Sequence, residues 1–146
     1  MSARFRRRDA QETFLQAFKF FALSSLSVIA FDALASVASV ALGFPYSYTA
    51  FGSAALYIVL AFFAARMFGF WAAIALGVVM GITDVTIGWA VSWAIGPGRY
   101  DVGTLTPSDW IFTALFAAVL GAIYGLIGGS VGTFARRRRP AGEPQP

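Results

Sequence analysis

Two acidic residues lie in the middle of long apolar stretches, where a charged side chain is costly. Asp32 is at the midpoint of the apolar run 20–44, and Asp84 lies about 2 Å beyond the midpoint of the run 70–95 at the helical rise. An acid at the bilayer centre costs roughly 2.5–3.5 kcal/mol and is by default a functional-site hypothesis. The two carboxyls therefore predict a proton or cation relay. The competing interpretation is structural, with a protonated Asp hydrogen-bonding neighbouring helices together.

Two phenols occupy the centres of the other two apolar stretches. Tyr57 and Tyr124 lie at the same predicted depth as the acids. One polar group per helix at one level predicts a buried layer of acids and phenols, so Tyr57 and Tyr124 join Asp32 and Asp84 as relay candidates. The alternative is that the tyrosines only fill space between helices. Asp32 also shares one helix face with small and polar residues, which predicts that it faces protein. Those residues are Ser25, Ser36, Ser39 and Gly43.

The composition excludes several chemistries. The chain of 146 residues is 58% hydrophobic and 12% charged, and it has no histidine and no cysteine. Zinc sites, thiol catalysis and histidine acid–base chemistry need those side chains. No P-loop motif occurs, and nothing marks a substrate. We therefore expect no enzyme, no catalytic residues, no metal site and no cofactor.

The elements that must position the four polar groups are long apolar helices. A helix needs about 20 apolar residues to cross the hydrocarbon layer. The sequence predicts an all-α integral membrane protein, a single domain 1–146, with transmembrane helices at 20–44, 48–66, 70–95 and 109–135 in an antiparallel bundle. A basic segment 1–19 is expected to lie at the membrane interface, and residues 136–146 are expected to form a basic, then disordered tail.

The basic residues predict the orientation. Four spans put both termini on one side, which then carries ten basic residues against one, Arg99, on the other. The positive-inside rule makes the termini cytoplasmic, in a bacterial-type inner membrane. The Arg clusters are expected to meet anionic lipid headgroups rather than nucleic acid. A signal peptide cleaved after Ala35 is the less favoured alternative, because the apolar run continues to Leu42.

Small residues recur every four positions on two of the predicted helices, where they let backbones approach closely. The third helix carries Ala73, Gly77 and Gly81, and the fourth carries Ala117, Gly121, Gly125 and Gly129. This pattern predicts tight helix packing, either within one chain or between copies. A homo-oligomer or a membrane-protein partner is therefore expected.

Two functions follow from these features. The glycine faces favour a non-catalytic accessory or assembly protein that packs through them. The alternative is a small proton- or cation-coupled transporter or channel that uses Asp32 and Asp84. The first predicts that bulky substitutions on the glycine faces abolish assembly, and the second that Asp84→Asn abolishes transport.

Overall fold

The chain is helical throughout the part that the structure describes. The computed structural model describes the backbone of residues 2–99 and 106–137, and the side chains from residue 11 onwards within these ranges; it contains no strand there. The elements are α1 (Ser2–Leu42), a 3₁₀ turn (Tyr46–Tyr48), α2 (Thr49–Phe68), α3 (Phe70–Thr83), a π-helical segment (Asp84–Gly88), α4 (Trp89–Ile95) and α5 (Pro107–Arg137).

Four of these helical stretches are long and apolar enough to cross a membrane. They are Gln11–Leu42, Tyr46–Phe68, Phe70–Ile95 and Pro107–Arg137, with mean hydropathies between 1.7 and 2.2. The prediction of an all-helical, multi-pass membrane protein with four spans is confirmed at this level. The bounds differ in detail. Helix α1 runs without interruption from Ser2 to Leu42, so residues 2–19 belong to the same helix as the first span. The tail after residue 137 lies outside the described residues.

Glycines end three of the helices. Gly43, Gly69 and Gly96 have φ values of 70°, 101° and 133°. This region of backbone space is favourable only for glycine, so each residue terminates the preceding helix. Gly69 alone separates α2 from α3, which is why these two helices pack side by side. The first span thus ends at Leu42, before the predicted limit at residue 44.

Helix α5 packs most extensively, and it does so through glycines on two faces. A Cβ built at Gly121 would overlap the carbonyl oxygen of Gly77 in α3, and one at Gly81 would overlap that of Ala117. A second face of α5 meets α2, where a Cβ at Gly128 would overlap the Ile58 carbonyl. These close backbone contacts hold α2, α3 and α5 together, because dispersion and polar contacts drive association in lipid.

The interior is made of small side chains, and the large apolar ones point outwards. The buried hydrophobic residues are Val28, Ala35, Tyr57, Ala61, Ala64, Ala65, Ala73, Leu76 and Met80. By contrast Phe51 and Trp71 are each 79% exposed. An exposed apolar surface of this extent suits a helix bundle surrounded by lipid rather than by water.

The start of α5 carries a reciprocal cap. The Thr106 backbone N–H donates to Asp109 Oδ2 at 2.8 Å, and the Asp109 N–H donates to the Thr106 hydroxyl at 3.4 Å. This is the arrangement of a capping box. Asp109 is therefore engaged at the N-terminus of α5.

Candidate functional site

A π-helical segment lies at the centre of the third span. It comprises Asp84–Gly88, and the Trp89 N–H donates to the Asp84 carbonyl, five residues back. The threonine hydroxyls around it are occupied by the helix: Thr83 donates to the Val79 carbonyl, and Thr86 to the Ile82 carbonyl. Such insertions in α-helices occur frequently at functional sites. Here the segment begins with one of the two predicted intramembrane acids.

The two acids meet at Gly88. Asp32 of α1 is 2% exposed, and its Oδ2 would overlap a Cβ built at Gly88; Asp84 Oδ1 would lie 3.1 Å from that same Cβ. Both carboxyls thus lie beside the same glycine. A side chain at position 88 would occupy the space in which they converge, so a residue without Cβ is required there. The structure thus brings together two predicted site residues that are 52 positions apart.

Tyr57 connects α2 to this pair. Its hydroxyl lies 2.9 Å from Asp84 Oδ2 and 3.0 Å from the carbonyl oxygen of Met80. A phenol has one hydrogen to donate, so these are two alternative acceptors. Tyr57 is 3% exposed, and its ring is fixed by the surrounding core.

Tyr124 lies behind Tyr57, next to a cavity. The two rings are perpendicular, with centroids 5.9 Å apart. The cavity of about 130 Å³ lies between α2, α3 and α5, and its polar lining consists of Ser53, Tyr57, Asp84 and Tyr124. A cavity of this size with several polar groups has room for a few water molecules or a small cation. All four predicted relay residues are therefore neighbours in a single polar layer.

Three buried polar atoms have no hydrogen-bond partner among the described residues. They are Asp32 Oδ2, Ser36 Oγ and Ser92 Oγ. Buried polar groups in native proteins are usually satisfied, so each such atom requires an explanation. The sequence reading placed Ser36 on the face of Asp32 but missed Ser92. The signal was available: Gly88 and Ser92 are four apart and therefore share one helix face.

The predicted packing residues contact one another within this chain. Gly77 meets Gly121 and Gly125, and Gly81 meets Ala117. Gly129 approaches Ala73, where a Cβ would lie 3.0 Å from the Ala73 side chain. Both glycine faces are thus covered by helices of the same chain.

Four helices long and apolar enough to cross a membrane surround a layer of two acids and two phenols, in which Asp32 and Tyr57 are buried and Asp84 and Tyr124 are half-buried. This is the architecture of a multi-pass membrane protein with a polar centre. The chain matches no protein-family model, and comparison with curated proteins and with solved structures finds no match.

Proposed function

We propose that the chain is a small proton- or cation-coupled transporter or channel whose central group is the acid pair, defined as Asp32 and Asp84. The observation that carries the proposal is the convergence of two carboxyls from different spans on Gly88, with Asp32 Oδ2 left without a partner. A pair that served only to hold helices together would have its hydrogen-bonding capacity satisfied inside the protein. An unsatisfied buried oxygen instead favours a site that holds an exchangeable species.

Electrostatics defines that species as a single positive charge. Two carboxylates roughly 4 Å apart repel each other by about 4 kcal/mol even at an effective dielectric constant of 20. A proton shared by the pair, or a small cation between the carboxyls, removes this repulsion. The acid pair is therefore a binding site for one proton or one monovalent cation, and release of that charge restores the repulsion.

Tyr57 can hydrogen-bond Asp84 in both of its protonation states. When Asp84 is ionised, the phenol donates to Oδ2; when Asp84 is protonated, the carboxyl donates to the phenol oxygen and the phenol donates to the Met80 carbonyl. Both arrangements use acceptors already within 3.0 Å of the hydroxyl, so the change requires only rotation of one O–H bond. The cavity beside Asp84 and Tyr57 gives this proton a route out of the pair.

The assembly role expected from the glycine faces has less support. Those faces of α3 and α5 pack against each other within the same chain, so assembly with a second copy or another membrane protein requires a different surface. An oligomer stays a prediction. By contrast, helix packing within a single chain does not explain why two acids are placed together.

We infer that the bundle is antiparallel, with both termini on the cytoplasmic side of a bacterial-type inner membrane. The support is the order of contacts, since Gly77 meets Gly121 while Gly81 meets Ala117, together with the basic residues near the termini. Because the chain has no cysteine, Ser47→Cys and Met67→Cys each introduce a unique thiol. A membrane-impermeant thiol reagent applied to intact cells should label Ser47→Cys alone. Labelling of Met67→Cys alone would mean that the orientation is the reverse of the one proposed.

The proposed function is tested by ion flux in reconstituted vesicles. The purified chain is placed in vesicles with an internal pH dye, and flux is driven by imposed proton, Na⁺ or K⁺ gradients. Asp32→Asn and Asp84→Asn should each lower flux by about tenfold or more, equivalent to at least ~1.4 kcal/mol in the rate-limiting barrier. Asp109→Asn is the matched control, because the amide oxygen of Asn can also accept the hydrogen bonds from Thr106 and this acid is outside the pair. Equal flux in all three folded variants, or no flux in the unmodified chain, would contradict the proposal.

A further inference from the structure

Buried polar side chains lie where α1 packs against the π-helical segment and α4. Asp32 meets Gly88 at the acid pair. One helical turn further along each helix are Ser36 and Ser92, both 0% exposed. Helices in contact that run in the same direction bring these residues to one level, roughly 6 Å beyond the pair. We call this row, Asp32, Ser36, Gly88 and Ser92, the polar seam.

The two seam serines differ from several other helix hydroxyls in the chain. A serine or threonine in a helix can satisfy itself by donating to the carbonyl four residues back. Ser27, Thr113 and Thr133 do so, with distances between 2.7 and 2.9 Å. Ser36 and Ser92 have no such bond, although both are completely buried. Their hydroxyls are free for a partner in the space between the helices.

The end of the seam is covered by a turn rather than by an apolar side chain. The Gly98 N–H donates to the Ser92 carbonyl at 3.3 Å, and Trp89 Nε1 donates to the Gly98 carbonyl at 3.2 Å. A Cβ at Gly98 would lie 2.7 Å from Ser92 Oγ, so the turn lies directly on the serine. The turn itself leads to Arg99, which is exposed. The seam therefore runs from the acid pair to the surface end of α4.

We propose that the polar seam holds a short row of buried water molecules, which conducts protons between the acid pair and the Gly96–Arg99 turn. Water explains all three unpartnered atoms at once, because one molecule makes two to four hydrogen bonds and serves groups that cannot reach one another. Each hydroxyl can accept a proton from one side and donate one to the other. This inference rests on the proposed function and adds to it a route by which protons reach the acid pair.

The end of the bundle opposite the Gly96–Arg99 turn offers no comparable route among the described residues, because the lining of the cavity beside Asp84 ends at Tyr57 on α2 and at Tyr124 on α5. There α2, α3 and α5 are joined by alanine and glycine contacts, such as Ala61 against Gly128 and Ala65 against Gly132. These side chains have no polar atoms to hold water. Proton access to the acid pair is thus one-sided in this conformation, from the end that contains the Gly96–Arg99 turn.

The hydration of the seam can be measured without any transport assay. Ser36→Cys and Ser92→Cys each introduce the only thiol in the chain, so its S–H stretching band is unobstructed in infrared spectra of the protein in lipid. On transfer to D₂O, both thiols should exchange to S–D about tenfold faster or more than the thiol of Ser24→Cys. Ser24 is the matched control, because it is also buried, at 2% exposed. It lies on the same helix as Ser36 but precedes Asp32 along the chain, so it is outside the polar seam. Exchange at positions 36 and 92 as slow as at position 24 would overturn the proposal.

A second measurement separates the route from the function. The double variant Ser36→Ala and Ser92→Ala removes both hydroxyls and no charge. We expect its proton flux to fall about tenfold. The thiol-exchange measurement is made on other variants and does not depend on this result. Unchanged flux in a folded double variant would overturn the route while leaving the acid pair as the transport site. Fast thiol exchange in a chain that carries no ions would refute the proposed function and still support a hydrated seam.

Discussion

Two glycine-to-alanine substitutions are expected to have opposite consequences, because their added methyl groups would meet different kinds of atoms. At Gly121 the new Cβ would overlap the Gly77 carbonyl oxygen and lie 2.9 Å from its carbon. At Gly88 it would meet the ends of the Asp32 and Asp84 side chains. Backbone atoms of a packed helix cannot move singly, whereas a carboxyl can rotate away. Gly121→Ala should therefore destabilise the fold, and Gly88→Ala should disable the acid pair.

The magnitudes follow from these contacts. Both substitutions gain about 1 kcal/mol of helix propensity, so this term cancels when the two variants are compared. Overpacking against backbone costs about 3 kcal/mol, the upper part of the usual range. Rotating a carboxyl out of its preferred rotamer costs about 1 kcal/mol. Gly121→Ala is thus expected to be less stable than Gly88→Ala by about 2 kcal/mol, with Gly88→Ala close to the unmodified chain.

The comparison needs two assays on the same preparations. Unfolding in mixed micelles, titrated with a denaturing detergent and followed by helical circular dichroism, gives the relative stabilities. Ion flux in vesicles gives the function, and Gly88→Ala should lose about tenfold or more, since its methyl group separates the carboxyls. The reasoning would be refuted by a Gly121→Ala protein at least as stable as Gly88→Ala, or by full flux in Gly88→Ala.

Two further predictions concern single hydrogen bonds. Tyr57→Phe removes the donor to Asp84, so ion flux should fall by roughly tenfold. Tyr124→Phe, for which we assign no such bond, should retain full flux. Equal effects of the two substitutions would argue against a specific role for Tyr57. Thr106→Ala removes the hydroxyl that caps α5 and should cost about 1 kcal/mol in detergent unfolding, with flux per folded molecule unchanged. A loss of flux in Thr106→Ala would mean that the start of α5 takes part in transport.

The spans were predictable because length and hydropathy determine them almost alone. A stretch of about 20 apolar residues has few options other than a membrane helix. The depth of Asp32 and Asp84 followed from the midpoints of their spans, and the close approach of glycines from their spacing of four. The helix ends were less predictable, since the positive φ of Gly43 ends α1 before the run of apolar residues stops.

The features that define the site depend on tertiary contacts. Nothing in the residue order Asp84–Gly88 distinguishes a π-helical segment from ordinary helix, and in the structure this segment packs against α1, α3, α4 and α5. The choice of Gly77 to pack on Gly121 rather than on a second copy also depends on which helices the connections bring together. The spacing of small residues identifies the face through which a helix packs, but not the helix that this face contacts.

The packing divides the molecule into a tight part and a looser part. Helices α2, α3 and α5 are joined through backbone contacts at Gly77, Gly81 and Gly128, whereas α1 makes fewer contacts with each neighbour and meets α4 through the polar seam. Separating two backbones in direct contact disrupts many dispersion contacts at once, but displacing a hydrated polar interface exchanges one set of water hydrogen bonds for another. Movement of α1 over the other helices is therefore the least costly way to change the distance between Asp32 and Asp84. Since that distance sets how strongly the pair holds one positive charge, the same movement would couple the conformation of the bundle to binding and release.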